Sequence, residues 1–97
     1  MNSLITSFED IINKAIEKGP VKIAVAAAED KQVLEAVKLA KEYKIINPII
    51  IGSQDSIEEI SRDINFNLSK IKIINSDSKE DSAYKAASLV NSGDADL

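Results

Sequence analysis

The chain has 97 residues, enough for one small domain and too few for two. Its 16 acidic and 12 basic residues give a formal net charge of −4, which argues against a surface that binds nucleic acid or an anionic membrane. Cysteine and histidine are both absent, which excludes disulfides, thiolate or imidazole metal sites, and the side chains that most often act as catalytic nucleophile or general base.

The first predicted element is a helix over residues 7–18. Its apolar residues recur three and four positions apart, which places them on one helical face; they are Phe8, Ile11, Ile12, Ala15 and Ile16. Gly19 and Pro20 end this helix, because glycine tolerates the cap geometry and proline cannot continue a helix. The apolar run over residues 21–28 is too short for a helix and is typical of a strand that is buried on both faces.

Asp30 predicts the start of a second helix, because aspartate is a preferred N-cap residue. We expect this helix to end near Lys44. Its inward face is predicted from helical spacing to comprise Val33, Leu34, Ala36, Val37 and Ala40. The charged residues between them are predicted to form a solvated face, namely Lys31, Glu35, Lys38 and Glu42.

Residues 48–51 predict a second buried strand, with Pro48 at its first position, where a missing N–H is tolerated. Ser56 and Glu59 match a capping box. The helix that we expect beside this box is short, and its apolar positions are Ile57, Ile60 and Ile64.

Residues 71–74 predict a third short strand, and the turn after it offers Asp77 as an N-cap. A last helix is expected over residues 79–91, ending at Gly93. Its apolar residues at helical spacing are Ala83, Ala87 and Val90.

Strands that alternate with helices imply right-handed crossovers and a parallel sheet with helices on both faces. We therefore predict an α/β fold, a three-layer α/β/α arrangement around a mostly parallel open sheet. The last residues, Ala95 to Leu97, have the position expected for the start of another strand. We expect residues 1–97 to be the N-terminal segment of a longer domain, interrupted where a fourth strand begins.

The loops at the carboxyl ends of the strands are the predicted functional edge, because open parallel sheets bind ligands there. Neither a G-x-G-x-x-G nor a P-loop motif is present. We expect one wall of a substrate-binding cleft to be formed by Ala28, Glu29, Asp30, Gly52 and Ser53. The alternative interpretation is structural, because four side chains at this edge are suitable N-caps, namely Asp30, Ser53, Ser56 and Asp77.

A non-enzymatic module, either receiver-like or ligand-binding, is the alternative function. Glu29 and Asp30 form an acidic pair after the first strand, and carboxylates of this kind suit Mg²⁺. The third strand, however, ends in Asn75, where a receiver domain has its phosphate-accepting aspartate. This departure counts against the receiver interpretation, and we expect no metal site.

Several motifs are more specific than helical or strand spacing requires. They comprise residues 22–30 (KIAVAAAED), residues 33–37 with Ala40, residues 48–52, and the flanking residues 7–12 and 86–97. Together they resemble the first third of members of the phosphate butyryltransferase and phosphate acetyltransferase family. Lys31 and Gln32 stand where the acetyltransferases favour an arginine, which favours the butyryl branch.

The resemblance implies an enzyme that transfers a short acyl group, butyryl or acetyl, between coenzyme A and phosphate. It implies acyl-CoA and phosphate as partners, coenzyme A as a substrate, no tightly bound cofactor, and a homo-oligomer at full length. It also implies a sheet like that of isocitrate and isopropylmalate dehydrogenases. The catalytic residues of such enzymes lie further along the chain, so none is assigned here, and the 97-residue piece alone is expected to be inactive. No apolar run reaches the roughly 20 residues that span a bilayer, and we expect a cytoplasmic protein without a membrane partner.

Overall fold

The computed structural model of the protein describes Asn13, Glu17 and residues 19–97. The predicted first helix therefore lies almost entirely outside the described residues. The described elements, in chain order, are strand β1 (Val21–Val25), helix α1 (Lys31–Glu42), strand β2 (Ile46–Gly52), helix α2 (Gln54–Asp63), strand β3 (Lys72–Asn75) and helix α3 (Lys79–Ser92). None of the described helices is long and apolar enough to cross a membrane.

The three strands form one parallel sheet in the order β1-β2-β3. Val21 lies opposite Ile46 at one end of the first ladder, and Gly52 lies opposite Asn75 at the far end of the second. Each strand is followed by a helix that returns the chain to the amino-terminal edge, which is why all strands run the same way. The predicted α/β fold is confirmed.

Helices lie on both faces of this sheet. α1 and α2 contact each other and pack on one face, where the buried core comprises Ala28, Leu34, Val37, Ile46, Ile50, Ile57 and Phe66. α3 contacts β1 and β2. Ile50 and Ile51 are both fully buried, and successive strand residues point to opposite faces, so Ile51 is buried on the side of α3. The result is three layers.

Two predicted strand boundaries were wrong. β1 ends at Val25 and not at Ala28, because Ala27 has a φ of 50°, which lies outside the strand region. Pro48 is the third residue of β2 and not the first. The pairing of β2 with β3 begins only at Ile49. At Pro48, β2 therefore has a neighbouring strand on one side only, and the missing N–H of proline is tolerated.

Two predicted N-caps were also wrong. α2 begins at Gln54 with Ser53 in the N-cap position, so Ser56 lies inside the helix and does not start a capping box. Ser78 caps α3, because its hydroxyl accepts a hydrogen bond of 3.0 Å from the N–H of Asp81. The N-cap residue must precede the first helical turn directly. The predicted start of α2 was three residues too late, whereas α3 starts at Lys79 as predicted and only its cap was misplaced by one residue.

The buried helix faces differ from the prediction at several positions. Ala36 is exposed although it was expected to face inward, as are Ala83, Ala87 and Val90. The buried residue of α3 is instead Ser82, whose hydroxyl forms a short hydrogen bond with that of Ser76. A hydroxyl with a partner can be buried at modest cost, so an apolar pattern alone identified the wrong face.

Lys38 departs from the predicted solvated face of α1. Its Nζ donates a hydrogen bond of 2.7 Å to the carbonyl of Ile64 and is partly buried. Ile64 is the C-cap of α2, where carbonyls lack intrahelical partners and a positive charge is favoured. This contact ties the two helices of the first face together.

The edge of β1 that faces away from β2 pairs with the last residues of the chain. The N–H of Leu97 donates to the carbonyl of Lys22 at 3.3 Å, and the carbonyl of Leu97 accepts from the N–H of Ala24 at 2.7 Å. Leu97 thus lies opposite Ile23 in the hydrogen-bonding pattern of a parallel ladder. This edge is the one not occupied by β2.

Candidate functional site

Three loops meet at the carboxyl edge of the sheet, as expected for parallel strands. The N–H of Ala28, after β1, donates to the carbonyl of Ile51 at 3.0 Å. The N–H of Ser76, after β3, donates to the carbonyl of Gly52 at 2.9 Å. Both outer loops are therefore hydrogen-bonded to the end of the central strand β2.

The N-terminus of α2 is capped by side chains from both neighbouring loops. The carboxylate of Glu29 accepts a hydrogen bond of 2.6 Å from the N–H of Ser53. The amide oxygen of Asn75 accepts one of 3.0 Å from the N–H of Gln54. Amide N–H groups at a helix start have no intrahelical partner, and a carboxylate there is favoured by the helix dipole. The side chain of Ser53 makes no cap bond to the helix and contacts the hydroxyl of Ser56 at 3.3 Å.

Gly52 is required by the approach of the β1 loop. A Cβ atom at this position would lie 2.8 Å from Oε1 of Glu29 and 3.1 Å from the backbone nitrogen of Ala28. The first neighbour is the end of a flexible side chain, whereas the second is backbone held by its bond to Ile51. The glycine thus allows the carboxylate of Glu29 to lie across the end of β2.

Asp30 has a separate role. Its Oδ1 accepts a hydrogen bond of 3.1 Å from the N–H of Val33 and caps α1, as predicted by the structural interpretation. Its N–H donates to the carbonyl of Ala28 at 2.8 Å, and Ala28 is completely buried. Of the five predicted residues, the structure brings Ala28, Glu29, Gly52 and Ser53 together, while the Asp30 side chain serves the neighbouring helix.

A second polar cluster, which was not predicted from the sequence, joins the end of β3 to the start of α3. Nζ of Lys85 donates to the carbonyl of Asn75 at 2.8 Å and forms an ion pair of 3.0 Å with Asp81. The hydrogen bond from Lys85, followed by that from the N–H of Asp77, lowers the pKa of Asp81 below its ordinary value. The available signal was Asn75 at the end of a strand, because asparagine is depleted in strands.

Negative charge prevails among the side chains at this edge. Its carboxylates are Glu29, Asp30, Asp55, Asp77, Glu80 and Asp81, and its cations are Lys31, Lys79 and Lys85. Within the described residues, no three carboxylates are grouped so that they could hold a metal ion. Glu29 and Asp30 each accept a helix N–H, which is the structural role and not the paired-carboxylate role that a receiver site needs. The edge is therefore a polar surface whose loops are joined by hydrogen bonds.

The sequence was compared with known families and curated proteins. A family model described as phosphate acetyl/butaryl transferase matches residues 7–95. A phosphate butyryltransferase of Clostridium acetobutylicum is 39% identical over 97% of this chain and 31% of its own length. A phosphate acetyltransferase of Rickettsia felis is 33% identical over 84% of this chain and 24% of its own length. The chain thus spans about a third or less of the length of the curated relatives it matches.

The fold was compared with solved structures. The EutD phosphotransacetylase from Staphylococcus aureus superposes with a TM-score of 0.67 over 90% of this chain and 36% of that chain. The sequence identity is 21%, so this likeness shows a shared fold. The comparisons do not favour the receiver-like alternative.

Proposed function

This chain belongs to the phosphate acetyl/butyryl transferase family, and on that premise we propose that it is the N-terminal part of an enzyme that transfers a short acyl group between coenzyme A and phosphate. The observation that carries the proposal is the family match over residues 7–95. The identity to a phosphate butyryltransferase over nearly the whole chain, together with Lys31 and Gln32 after the first loop, supports butyryl over acetyl.

The proposed reaction forms one bond and breaks another. The sulfur of coenzyme A attacks the carbonyl carbon of an acyl phosphate, a C–S bond forms, the C–O bond to phosphate breaks, and the thiol proton passes to a base. In the reverse direction a phosphate oxygen attacks the thioester carbonyl and the thiolate leaves. An enzyme accelerates such a transfer by positioning both reactants and by placing donors near the developing oxyanion.

The carboxyl edge of the sheet, with Ala28, Glu29, Asp30, Gly52 and Ser53, is the proposed cleft wall; Glu29 and Asp30 are exposed there, whereas Ala28 and Gly52 are buried. This assignment is supported by the hydrogen bonds in which Glu29 and Asn75 accept from the N–H groups at the start of α2, because these bonds hold the three loops in one geometry. The excess of carboxylates there disfavours phosphate. We therefore assign the groups that bind the phosphate of the acyl-transfer reaction to parts of a longer protein outside residues 19–97.

We expect the longer protein also to extend the sheet at the edge of β1 that faces away from β2. We propose that Leu97 begins a fourth strand of the domain, and its parallel pattern of hydrogen bonds with Lys22 and Ala24 supports this assignment. A fourth strand on this edge would place β1 inside the sheet, which suits the apolar run that starts at Val21. Residues 1–97 would then be a segment of one acyltransferase domain.

The remaining parts of the proposal rest on the family resemblance and on charge. They are acyl-CoA and phosphate as partners, coenzyme A as substrate and not as a tightly bound cofactor, a cytoplasmic enzyme, a homo-oligomer at full length, and no binding of nucleic acid or membrane. A net charge of −4 supports the last of these.

The cleft wall can be tested separately from the reaction by a cysteine introduced into the longer protein, with any other reactive cysteines replaced. Ser53→Cys places a thiol at the carboxyl edge, where the native hydroxyl makes no cap bond. Glu35→Cys on the exposed face of α1 is the matched control. We expect butyryl-CoA to slow maleimide labelling of the first thiol and not of the second. Equal labelling rates with and without butyryl-CoA at both positions would contradict the assignment of this edge.

A further inference from the structure

A cavity of about 400 Å³ lies at the amino-terminal edge of the sheet, opposite to the proposed cleft wall. Its charged and amide-bearing lining residues, which we call the amino-edge pocket, are Lys22, Lys41, Asn47, Lys70, Lys72 and Asp94. Four of them are lysines and one is a carboxylate, so the pocket is positive in a chain whose net charge is −4.

The register of the sheet fixes where the central lysines point. Lys22 lies opposite Asn47, and Lys72 lies opposite Ile49. Paired residues of neighbouring strands, and residues two apart in one strand, share a face, so both lysines project from the same face with Asn47 between them. Two strand spacings and two residues separate their Cα atoms, a distance of about 12 Å. The four lysines together carry more positive charge than a single phosphate, with about −2 at pH 7, can neutralise, which favours a polyanion with linked phosphate groups.

The lysines of the amino-edge pocket have no carboxylate partner within residues 19–97, where Lys85 with Asp81 is the ion pair that forms. Two carboxylates lie nearby: Oδ2 of Asp94 accepts a hydrogen bond of 2.8 Å from the hydroxyl of Ser92, and Oδ2 of Asp96 accepts one of 3.1 Å from the backbone N–H of Lys22. α3 contacts β1 and β2, and the side chains of Lys22, Lys70 and Lys72 are exposed. Among the described residues, these lysines are therefore accessible to an anion.

We propose that the amino-edge pocket binds a small polyanion that carries at least two linked phosphate groups. Lys22 and Lys72 bind one phosphate each, Asn47 donates its side-chain amide between them, and Lys41 and Lys70 add charge at the rim. Ile49 and Ile71 also line the cavity and offer apolar surface to an organic group attached to the phosphates. This site is separate from the acyl-transfer proposal, because it lies at the other end of the strands.

The test is a titration of the ¹⁵N-labelled 97-residue chain with tripolyphosphate at low ionic strength, followed by NMR. We expect saturable shifts of the backbone amides of Lys22 and Lys72 and of the side-chain amide of Asn47. Orthophosphate should bind more weakly. Each lysine replaced by glutamine should weaken binding about fivefold, which corresponds to the loss of one charge contact near the surface, and raised salt should weaken it further.

The control distinguishes a site from general attraction. Lys79→Gln removes the same charge at the opposite edge of the sheet and should leave the affinity unchanged. The pair Lys41→Gln and Lys70→Gln provides a second route should substitution of Lys22 and Lys72 disturb the spectrum of the folded chain. The proposal is overturned if no saturable shift occurs, or if Lys79→Gln weakens binding as much as Lys22→Gln and Lys72→Gln do.

Discussion

The carboxylate of Glu29 lies 2.6 Å from the backbone nitrogen of Ser53, 24 residues further along the chain, and caps the helix that begins at the next residue. Asn75 caps the next N–H of the same helix from the other side, at 3.0 Å. A helix start normally receives its cap from a residue just before it. Here two loops supply it, and the consequence is that the three loops of the carboxyl edge form one connected unit.

Glu29→Ala should destabilise the chain by about 1 kcal/mol, because the N–H of Ser53 loses its acceptor and the start of α2 loses a favourable charge. Urea unfolding monitored by circular dichroism measures this change. Glu35→Ala, an exposed glutamate on α1, is the control and should change the free energy of unfolding by less than about 0.5 kcal/mol. Equal effects of the two substitutions would show that the cap contributes nothing.

Gly52→Ala should destabilise by about 1–3 kcal/mol, the usual cost of an extra methyl group in a tightly packed place. Part of the cost is the clash with Oε1 of Glu29 at 2.8 Å, and part is the contact with the backbone nitrogen of Ala28 at 3.1 Å.

A double-mutant cycle separates the two contributions of Gly52. In the Glu29→Ala background, Gly52→Ala should cost less than in the natural sequence, since the nearer neighbour is gone. A residual cost should remain, because the nitrogen of Ala28 cannot move away without breaking its bond to Ile51. An equal cost in both backgrounds would contradict the described packing of Glu29 against Gly52.

The pKa of Asp81 should rise toward its ordinary value in Lys85→Gln, because the hydrogen bond from Lys85 is the main cause of its lowering. A pKa that is lower in the folded than in the unfolded chain favours folding at pH above the unfolded value, and this contribution is lost as the pH falls through the folded value. Lys85→Gln should therefore flatten the loss of stability in acid.

A ¹³C NMR titration of the Asp81 carboxyl carbon measures this pKa directly. Lys31→Gln removes a lysine at the start of another helix and serves as the control, with no change expected. If Asp81 titrates at the same pH in Lys85→Gln and in the natural sequence, the ion pair seen in the structure has no influence on its protonation.

Lys44→Gly should stabilise the chain by about 0.5–1 kcal/mol. Lys44 has a φ of 60° just after α1, a left-handed conformation that costs a residue with a Cβ atom roughly 1 kcal/mol and that glycine adopts freely. Thermal unfolding measures the gain, and Lys44→Ala is the matched control, because alanine keeps the strain. A gain in Lys44→Ala equal to that in Lys44→Gly would show that relief of backbone strain is not the cause.

The order of the described helices and strands could be predicted from the sequence because helices and buried strands have different patterns of apolar residues. The apolar run from Val21 and the run before Gly52 predict strands, and the spacing of Leu34 and Val37 predicts one face of a helix. Boundaries were less accurate, since they depend on single backbone angles such as that of Ala27. The buried face of α3 was missed because Ser82 is buried through a hydrogen bond with another serine, which no apolar pattern reports.

The sequence was enough to predict where the candidate residues lie in the fold, but it was not enough to predict their contacts. The topology alone brings the loops after β1 and β2 to one edge, so Glu29 and Ser53 were expected to be neighbours. That Glu29 caps α2 and that Asn75 joins it could not be predicted, because both hydrogen bonds link residues more than 20 positions apart. Asp30, with its partner three residues away, was predictable as a cap for the opposite reason.

Formation of acyl phosphate by the longer protein that carries this chain is the most direct test of the proposed acyl transfer. The purified protein is incubated with butyryl-CoA and phosphate, the acyl phosphate is trapped with hydroxylamine, and the released thiol is measured in parallel. We expect equal amounts of hydroxamate and thiol, faster turnover of butyryl-CoA than of acetyl-CoA, and no turnover by residues 1–97 alone. Absence of phosphate-dependent thiol release from every short acyl-CoA would contradict the account.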